Sequence, residues 1–263
     1  MTICKILSWN VNGLNRKTGN SQFLSVFSQN ADIVCLQETK YPQSEVHAEY
    51  KSPAGYRKDF SPIVNTLEGG LALYSKKDFE KPVYGINAPL HDSRSRIQTV
   101  DFGNFLLVNT FFPEGDNRAV RQGYKLIFFD KVIEYLSGLQ KQGRPVILCG
   151  DLSVAHSDLD VFPADRKSIA NGLSPEEREK LDRIQGLGFT DAFRHCNPEA
   201  RTYTFWPSKN SLKEQDLGWR FDYFFVSNEL VNGDLKSGVL PRNDFSDHAP
   251  VWVEIGVPDS PGP

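Results

Sequence analysis

The chain is poor in cysteine. Four occur in 263 residues, at Cys4, Cys35, Cys149 and Cys196, far apart from one another. That spacing argues against a zinc site or a disulfide framework, and three of the four fall in apolar, strand-like runs, as buried reduced thiols do. An excess of one charge is also missing. Thirty basic residues against 33 acidic ones leave a formal net charge of −3. The whole-molecule field therefore does not announce a polyanion binder, and any such site needs a local basic patch or a bound cation. No apolar run approaches the ~20 residues that span a bilayer, and the opening "MTICKILSWN" is too short and too polar at its end for a signal peptide. No membrane partner is expected. A protein of a reducing compartment is, either a prokaryotic cytoplasm or a nucleus. Linker-like composition and short-period repeats are absent as well. We therefore expect one domain over residues 1–256 and a disordered tail over 257–263, "VPDSPGP", which has little to bury.

What the chain has is a long series of short β-type runs: "CKILSW", "DIVCL", "GLALYS", "RIQTVDF", "FLLVNTFF", "PVILCG", "TYTFW", "WRFDYFFVS" and "APVWVEI". Several are apolar on both faces, as strands between layers are. Helical spacing lies between them. Phe23, Val26 and Phe27 share a stripe, and 118–142 carries Tyr124, Phe128, Val132, Tyr135, Leu136 and Leu139. "SPEEREKLDRIQGLG" opens with Ser174 as N-cap, Pro175 at the first helical position and Glu177 closing a capping box, and ends near Gly186 or Gly188. The fold class expected is α/β, with strands packed face to face and helices outside.

Most of these strands finish on a residue that an apolar core does not favour: Asn10 and Asn12, then Gln37, Glu38 and Lys40, then Asp151. Asp222 lies inside an aromatic strand, and Asp247 and His248 precede the last one. Each alone has an ordinary explanation as a turn or solvated residue. Together they suggest a mouth where functional groups gather on a rigid scaffold. Four carboxylates and an imidazole there would repel one another without a cation. Oxygen-rich ligation selects a hard ion, Mg²⁺ or Mn²⁺, over zinc. The acid–histidine pairing then suggests metal-assisted hydrolysis of a phosphate ester.

"SWNVNGL", "CLQETK", "GDLSVAH", "TYTFW", "GWRFDYFFVS" and "SDHAPV" occur in the order found in exonuclease III-type AP endonucleases of the endonuclease/exonuclease/phosphatase superfamily, from about Ile6 to Ile255. The resemblance implies a four-layer α/β sandwich of the DNase I type. It also implies a monomer that incises double-stranded DNA 5′ to abasic sites, often with 3′–5′ exonuclease and 3′-phosphatase activity at 3′ ends. On that resemblance Glu38 is the main metal-binding carboxylate with Asn10 beside it, and Asp151 activates or orients the attacking water and touches the metal. Asp222 orients His248, which faces the phosphate, and Asp247 is a further metal- or water-organising acid. Trp219 and Phe205 resemble the pair lining a pocket for a flipped-out abasic sugar. Gly218 and Arg220 beside Trp219 favour a pocket wall over core there, whereas Phe205 fits either. Arg121 resembles a DNA-contacting residue and equally an ordinary helix arginine. Lys209, Lys213 and Arg94 are weaker candidates for the DNA backbone.

Four positions depart from the family pattern. Ser153 stands where the family has Asn. Phe111 replaces a tyrosine whose hydroxyl contacts the phosphate, Glu114 replaces an Asn after the proline, and Glu68 replaces a DNA-facing Tyr. Removing a donor of the first kind costs about 10²–10³ in rate, and the two glutamates weaken backbone contact unless a cation offsets them. Two alternatives to a repair nuclease therefore stay open. One is a damaged-DNA binder with impaired catalysis, and the other is a superfamily phosphodiesterase with a non-DNA substrate.

Overall fold

The computed structural model of the protein describes residues 1–14, 20–51, 53–63, 69–92, 94–114, 119–162, 172–207 and 216–259. Glu68, Lys209 and Lys213 lie outside them. Two six-stranded mixed sheets pack face to face. The first has the order β11–β12–β1–β2–β4–β3, built from Lys236–Val239, Val251–Val257, Thr2–Asn10, Ile33–Gln37, Leu71–Ser75 and Arg57–Phe60. The second has the order β5–β6–β7–β8–β10–β9, built from Val83–Tyr84, Ile97–Asp101, Leu106–Phe111, Val146–Asp151, Asp222–Ser227 and Phe189–Asp191.

The period-two pattern divides each central strand between two cores. In β1, Cys4 and Ile6 join Ile33, Cys35, Leu107, Ile147, Cys149, Phe224 and Val253 between the sheets. Leu7 and Trp9 face the other way, against Phe23, Val26 and Tyr50, so helices α1 (Asn20–Ser25) and α2 (Ala48–Lys51) cover the first sheet. On the second sheet, α4 (Ala119–Gln140) and α5 (Pro175–Gly186) bury Phe128, Phe129, Val132, Leu136, Leu181 and Ile184 against Val108, Leu148 and Tyr223. The result is a four-layer α/β sandwich. Short helices α3 (Pro89–Asp92) and α6 (Ala192–Cys196) complete it. The capping box at Ser174 and Glu177 forms as the sequence suggests. Among the described residues no helix is long and apolar enough to cross a membrane.

Two expectations need correction. "TYTFW" is not a strand: Phe205 makes only isolated bridges, to Trp219 and His248. The tail is ordered further than its composition implies. Val257 ends β12 opposite Thr2, the Pro258 carbonyl accepts from Asn104, and Asp259 takes hydrogen bonds from the amino terminus and from Thr2. Pairing with the first strand supplies partners that local composition does not reveal.

Candidate active site

Strand direction brings the polar strand ends to one mouth. β1 and β2 run parallel with Asn10 opposite Gln37, which places Glu38 just beyond. β7 and β8 run parallel with Phe111 opposite Asp151. β10 runs antiparallel and starts at the same end, with Asp222 opposite Asp151. β12 is antiparallel to β1, so His248 precedes it at that end too. Gly150 lets β8 reach the mouth, because a Cβ there would sit 1.8 Å from the Thr110 carbonyl oxygen. The exits are tight. Asn12, Glu38, Lys40 and Ser153 all have left-handed φ, between 47° and 59°. Such non-glycine residues cluster where a site demands them.

Asn10 ties two acids together. Its Nδ2 donates to Glu38 Oε1 and to Asp151 Oδ2, each at 2.9 Å, and its Oδ1 accepts the Asn12 N–H at 3.0 Å. The other oxygen of Glu38 meets the Lys40 ammonium at 2.9 Å. Lys40 also donates to Asn12 Oδ1, and Asn12 Nδ2 reaches both oxygens of Asp247 at 3.0 Å. Asp151 Oδ1 accepts the Ser153 N–H at 2.7 Å and the Ser153 hydroxyl at 3.0 Å.

Opposite stands His248. Its Nδ1 donates to Asp222 Oδ2 at 2.8 Å, and its Nε2 points toward Asp151 Oδ2 at 3.8 Å. Trp9 Nε1 holds the His248 carbonyl at 2.9 Å. Burial alone would push His248 toward neutrality, but Asp222 and Asp151 reverse this and hold its pKa up at about 10. Burial pushes Asp151 the other way, up to about 7, with Asp222 and Glu38 adding to the shift and His248 and the Asn10 amide opposing it. The pair therefore combines a charged imidazolium with a carboxyl poised near neutrality, the two protonation states that acid–base work on a phosphate needs.

The aromatic wall adjoins the imidazole. The Phe205 and His248 ring centroids lie 4.7 Å apart, and Phe205 lies 5.8 Å from Trp219. Sequence reasoning missed a third member, Phe221, which stacks on Phe205 at 5.3 Å and on Trp219 at 6.1 Å. Its signal was the spacing of two from Trp219, which places both side chains on one face of an extended chain. The reason given for Trp219 needs correction. Arg220 is no polar flank: it is buried, bonded to Asp160 at 2.6 Å and to Asp191 at 2.7 Å. Gly218 is there because a Cβ would meet the Phe205 carbonyl oxygen at 2.6 Å. Trp219 is still half-buried at the site's edge, held there by this clamp beneath it.

Of the other expected residues, Phe111 is buried at the end of β7 with the Arg96 guanidinium 4.7 Å over its ring. Arg121 is exposed on the first turn of α4. Arg94 is half-buried, near Gly69. Glu114 faces the site. Partial burial, Glu38 and Asp247 push its carboxyl up, while His248 and Lys125 pull it down.

Asp151, Asp222 and His248 offer ligand atoms within 4.8 Å of one another and could hold a metal ion. The donor set fits a hard cation better on the other flank. Glu38, Asp151 and Asp247 bring carboxylate oxygens there, with the Asn10 amide nitrogen bridging the first two, whereas His248 is held charged and its Nδ1 is already committed to Asp222.

A two-sheet sandwich with an acid–histidine site at one mouth defines a class of phosphoester hydrolases. The profile of the Endonuclease/Exonuclease/phosphatase family matches residues 7–248, and the chain belongs to that family. It is 33% identical over 255 residues to an exodeoxyribonuclease of Bacillus subtilis, covering 96% of this chain and 100% of that one. It is 34% identical to DNA repair nuclease APEX1 of Danio rerio, covering 96% of this chain and 82% of the relative. Among solved structures, the 3′ phosphatase NExo from Neisseria, bound to a product DNA hairpin, superposes with a TM-score of 0.85 at 26% identity, over 96% of this chain and 99% of that one. The protein is a hydrolase of the exodeoxyribonuclease and AP endonuclease type.

Proposed function

We propose that the protein is a Mg²⁺-dependent DNA repair nuclease, with Mn²⁺ able to substitute. It cuts the phosphodiester 5′ to abasic sites in double-stranded DNA and acts at 3′ ends as a 3′–5′ exonuclease and 3′-phosphatase. It works as a monomer in a DNA-containing compartment, either a prokaryotic cytoplasm or a nucleus. The observation that carries this reading is the Asp151–His248 pair, 3.8 Å apart and braced separately by Ser153 and Asp222.

Asp151 accepts a proton from a water and aims that water's oxygen at phosphorus. The P–O bond to the 3′ oxygen breaks and that oxygen takes up a proton from solvent, leaving a 3′-hydroxyl and a 5′-phosphate. Charged His248 donates from Nε2 to a non-bridging oxygen as charge builds there, and Asp222 keeps the Nδ1 proton in place. Glu38, Asn10, Asp151 and Asp247 would hold the cation, which supplies charge neutralisation when bound. Phe205, Trp219 and Phe221 offer a wall for a base-free sugar, and extrusion costs least where no base is stacked. Arg121 would contact the DNA backbone.

The test is cleavage of a duplex oligonucleotide carrying one abasic-site analogue, with Mg²⁺ and with EDTA, against undamaged duplex. Metal-dependent incision 5′ to the lesion supports the reading. Binding without incision would overturn it in favour of a damaged-DNA binder, the alternative raised by Ser153 and Phe111.

A further inference from the structure

Lys125 is a charged residue with no exposed surface, inside the first half of α4. Buried ammonium groups persist only when paired and hydrogen-bonded. Its Nζ lies 2.6 Å from Glu177 Oε1, whose side chain is equally buried. The same Nζ donates to the backbone carbonyl of Ser153 at 2.7 Å. Glu177 is itself anchored: its two carboxylate oxygens accept the N–H groups of Gly172 and Ser174, each at 3.1 Å. The Gly172 carbonyl returns to the same loop by accepting the Ala155 N–H at 2.8 Å. The pair thus ties α4, the start of α5 and the loop after β8 into one unit.

The point it grips is the left-handed residue. Ser153, at φ 53°, turns so that its N–H and hydroxyl both hold one oxygen of Asp151. A non-glycine residue stays in that region only where its surroundings over-determine it. With its carbonyl fixed from below and its N–H fixed on Asp151, the two peptide planes that flank Ser153 have little freedom left.

We propose that Lys125, locked by Glu177, is a positioning residue of the active site. Its hydrogen bond to the Ser153 carbonyl holds the turn that aims the Asp151 carboxylate. This rests on the reading of Asp151 as the water-orienting acid. Lys125 touches no reacting atom, so its effect falls on turnover through the alignment of Asp151 and not on DNA binding.

The experiment compares kcat and KM on the abasic duplex for wild type, Lys125→Arg, the double variant Lys125→Met/Glu177→Gln and Asp151→Asn, with the Tm of each. The double variant removes the ammonium without stranding a buried carboxylate, and glutamine keeps an acceptor for one of the two loop N–H groups. Its kcat is expected to fall about 10- to 100-fold with KM within about twofold, since misplacement by about 1 Å costs up to about 10² in rate. Lys125→Arg, which keeps the charge and a donor, is expected to restore most of the turnover. A folded double variant with wild-type kcat, or with KM raised and kcat unchanged, would overturn the proposal while Asp151→Asn remains inactive. Full activity in Asp151→Asn would instead overturn the role given to Asp151. If the double variant does not fold, Glu177→Gln alone decides: a lower kcat at constant KM supports the positioning role, and an unchanged kcat refutes it.

Discussion

Ser153 gives two hydrogen bonds to one oxygen of Asp151, from its N–H at 2.7 Å and from its hydroxyl at 3.0 Å. The hydroxyl is therefore spent on the acid and does not reach toward substrate. An asparagine would suit the left-handed backbone at least as well and would carry a longer amide with donors to spare. Ser153→Asn is expected to raise kcat at least about tenfold in a single-turnover incision assay. An unchanged rate would mean that another group already supplies the missing donor.

Asp222 sets the charge on His248. Replacing it with asparagine removes the strongest of the interactions that raise the imidazole to about 10 against the opposing effect of burial. Activity that needs the charged ring is present below its pKa and lost above it. Asp222→Asn should therefore move the alkaline limb of the pH–rate profile down by about one unit or more. Turnover at the optimum should fall about 10²- to 10⁴-fold. An alkaline limb that stays in place would remove His248 as the titrating group.

Glu114 sets a carboxylate in the field of Glu38 and Asp247, only partly offset by His248 and Lys125, at the mouth where the proposed function would bring DNA phosphates. Glu114→Gln should tighten binding of abasic duplex several-fold at low salt, an effect that shrinks as salt screens the charge. Fluorescence anisotropy across a salt series measures it. Equal affinity at every salt concentration would show that the side chain turns away from DNA.

Arg220 joins Asp160 and Asp191 beneath the aromatic wall. Arg220→Met leaves the buried Asp191 without its ion-pair partner and Asp160 with Arg194 alone, and should cost about 3–5 kcal/mol in urea unfolding. Burial alone would raise Asp160, but Arg220 and Arg194 outweigh it and hold the carboxyl below its usual range. Its contribution is thus present above the unfolded-state pKa of about 4 and is lost as pH falls below that. Asp160→Asn should show its full stability deficit at neutral pH and a smaller one in acid. A deficit that does not depend on pH would show that the pairing is not ionic.

Much of this was legible in the sequence. The apolar runs in "CKILSW" and "VILCG" marked strands buried on both sides. The polar residue closing each run marked the mouth, and Ser174-Pro175 with Glu177 marked a helix start that forms as expected. Asn10, Glu38, Asp151, Ser153, Asp222 and His248 do assemble. What was misread shares a cause. "TYTFW" has strand composition but makes only isolated bridges. The tail has the composition of disorder, yet part of it pairs with the amino-terminal strand. Arg220 has the look of a surface residue and is buried on two acids. In each case the deciding partner lies far away in the chain, and local propensity carries no information about it.

The sequence by itself determined the layered α/β class, the order of the motifs and the acid–histidine chemistry, because side-chain periodicity and residue type act locally. Only the tertiary structure decided which donors each acid meets, that Phe221 joins the wall, and that Lys125 is buried with its ammonium on the Ser153 carbonyl. Those depend on strand direction and sheet packing, which bring residues as distant as Asn10 and Asp151 within 2.9 Å. Burial then sets their charge, because a carboxyl or an imidazole taken out of water titrates according to its neighbours and no longer according to its own type.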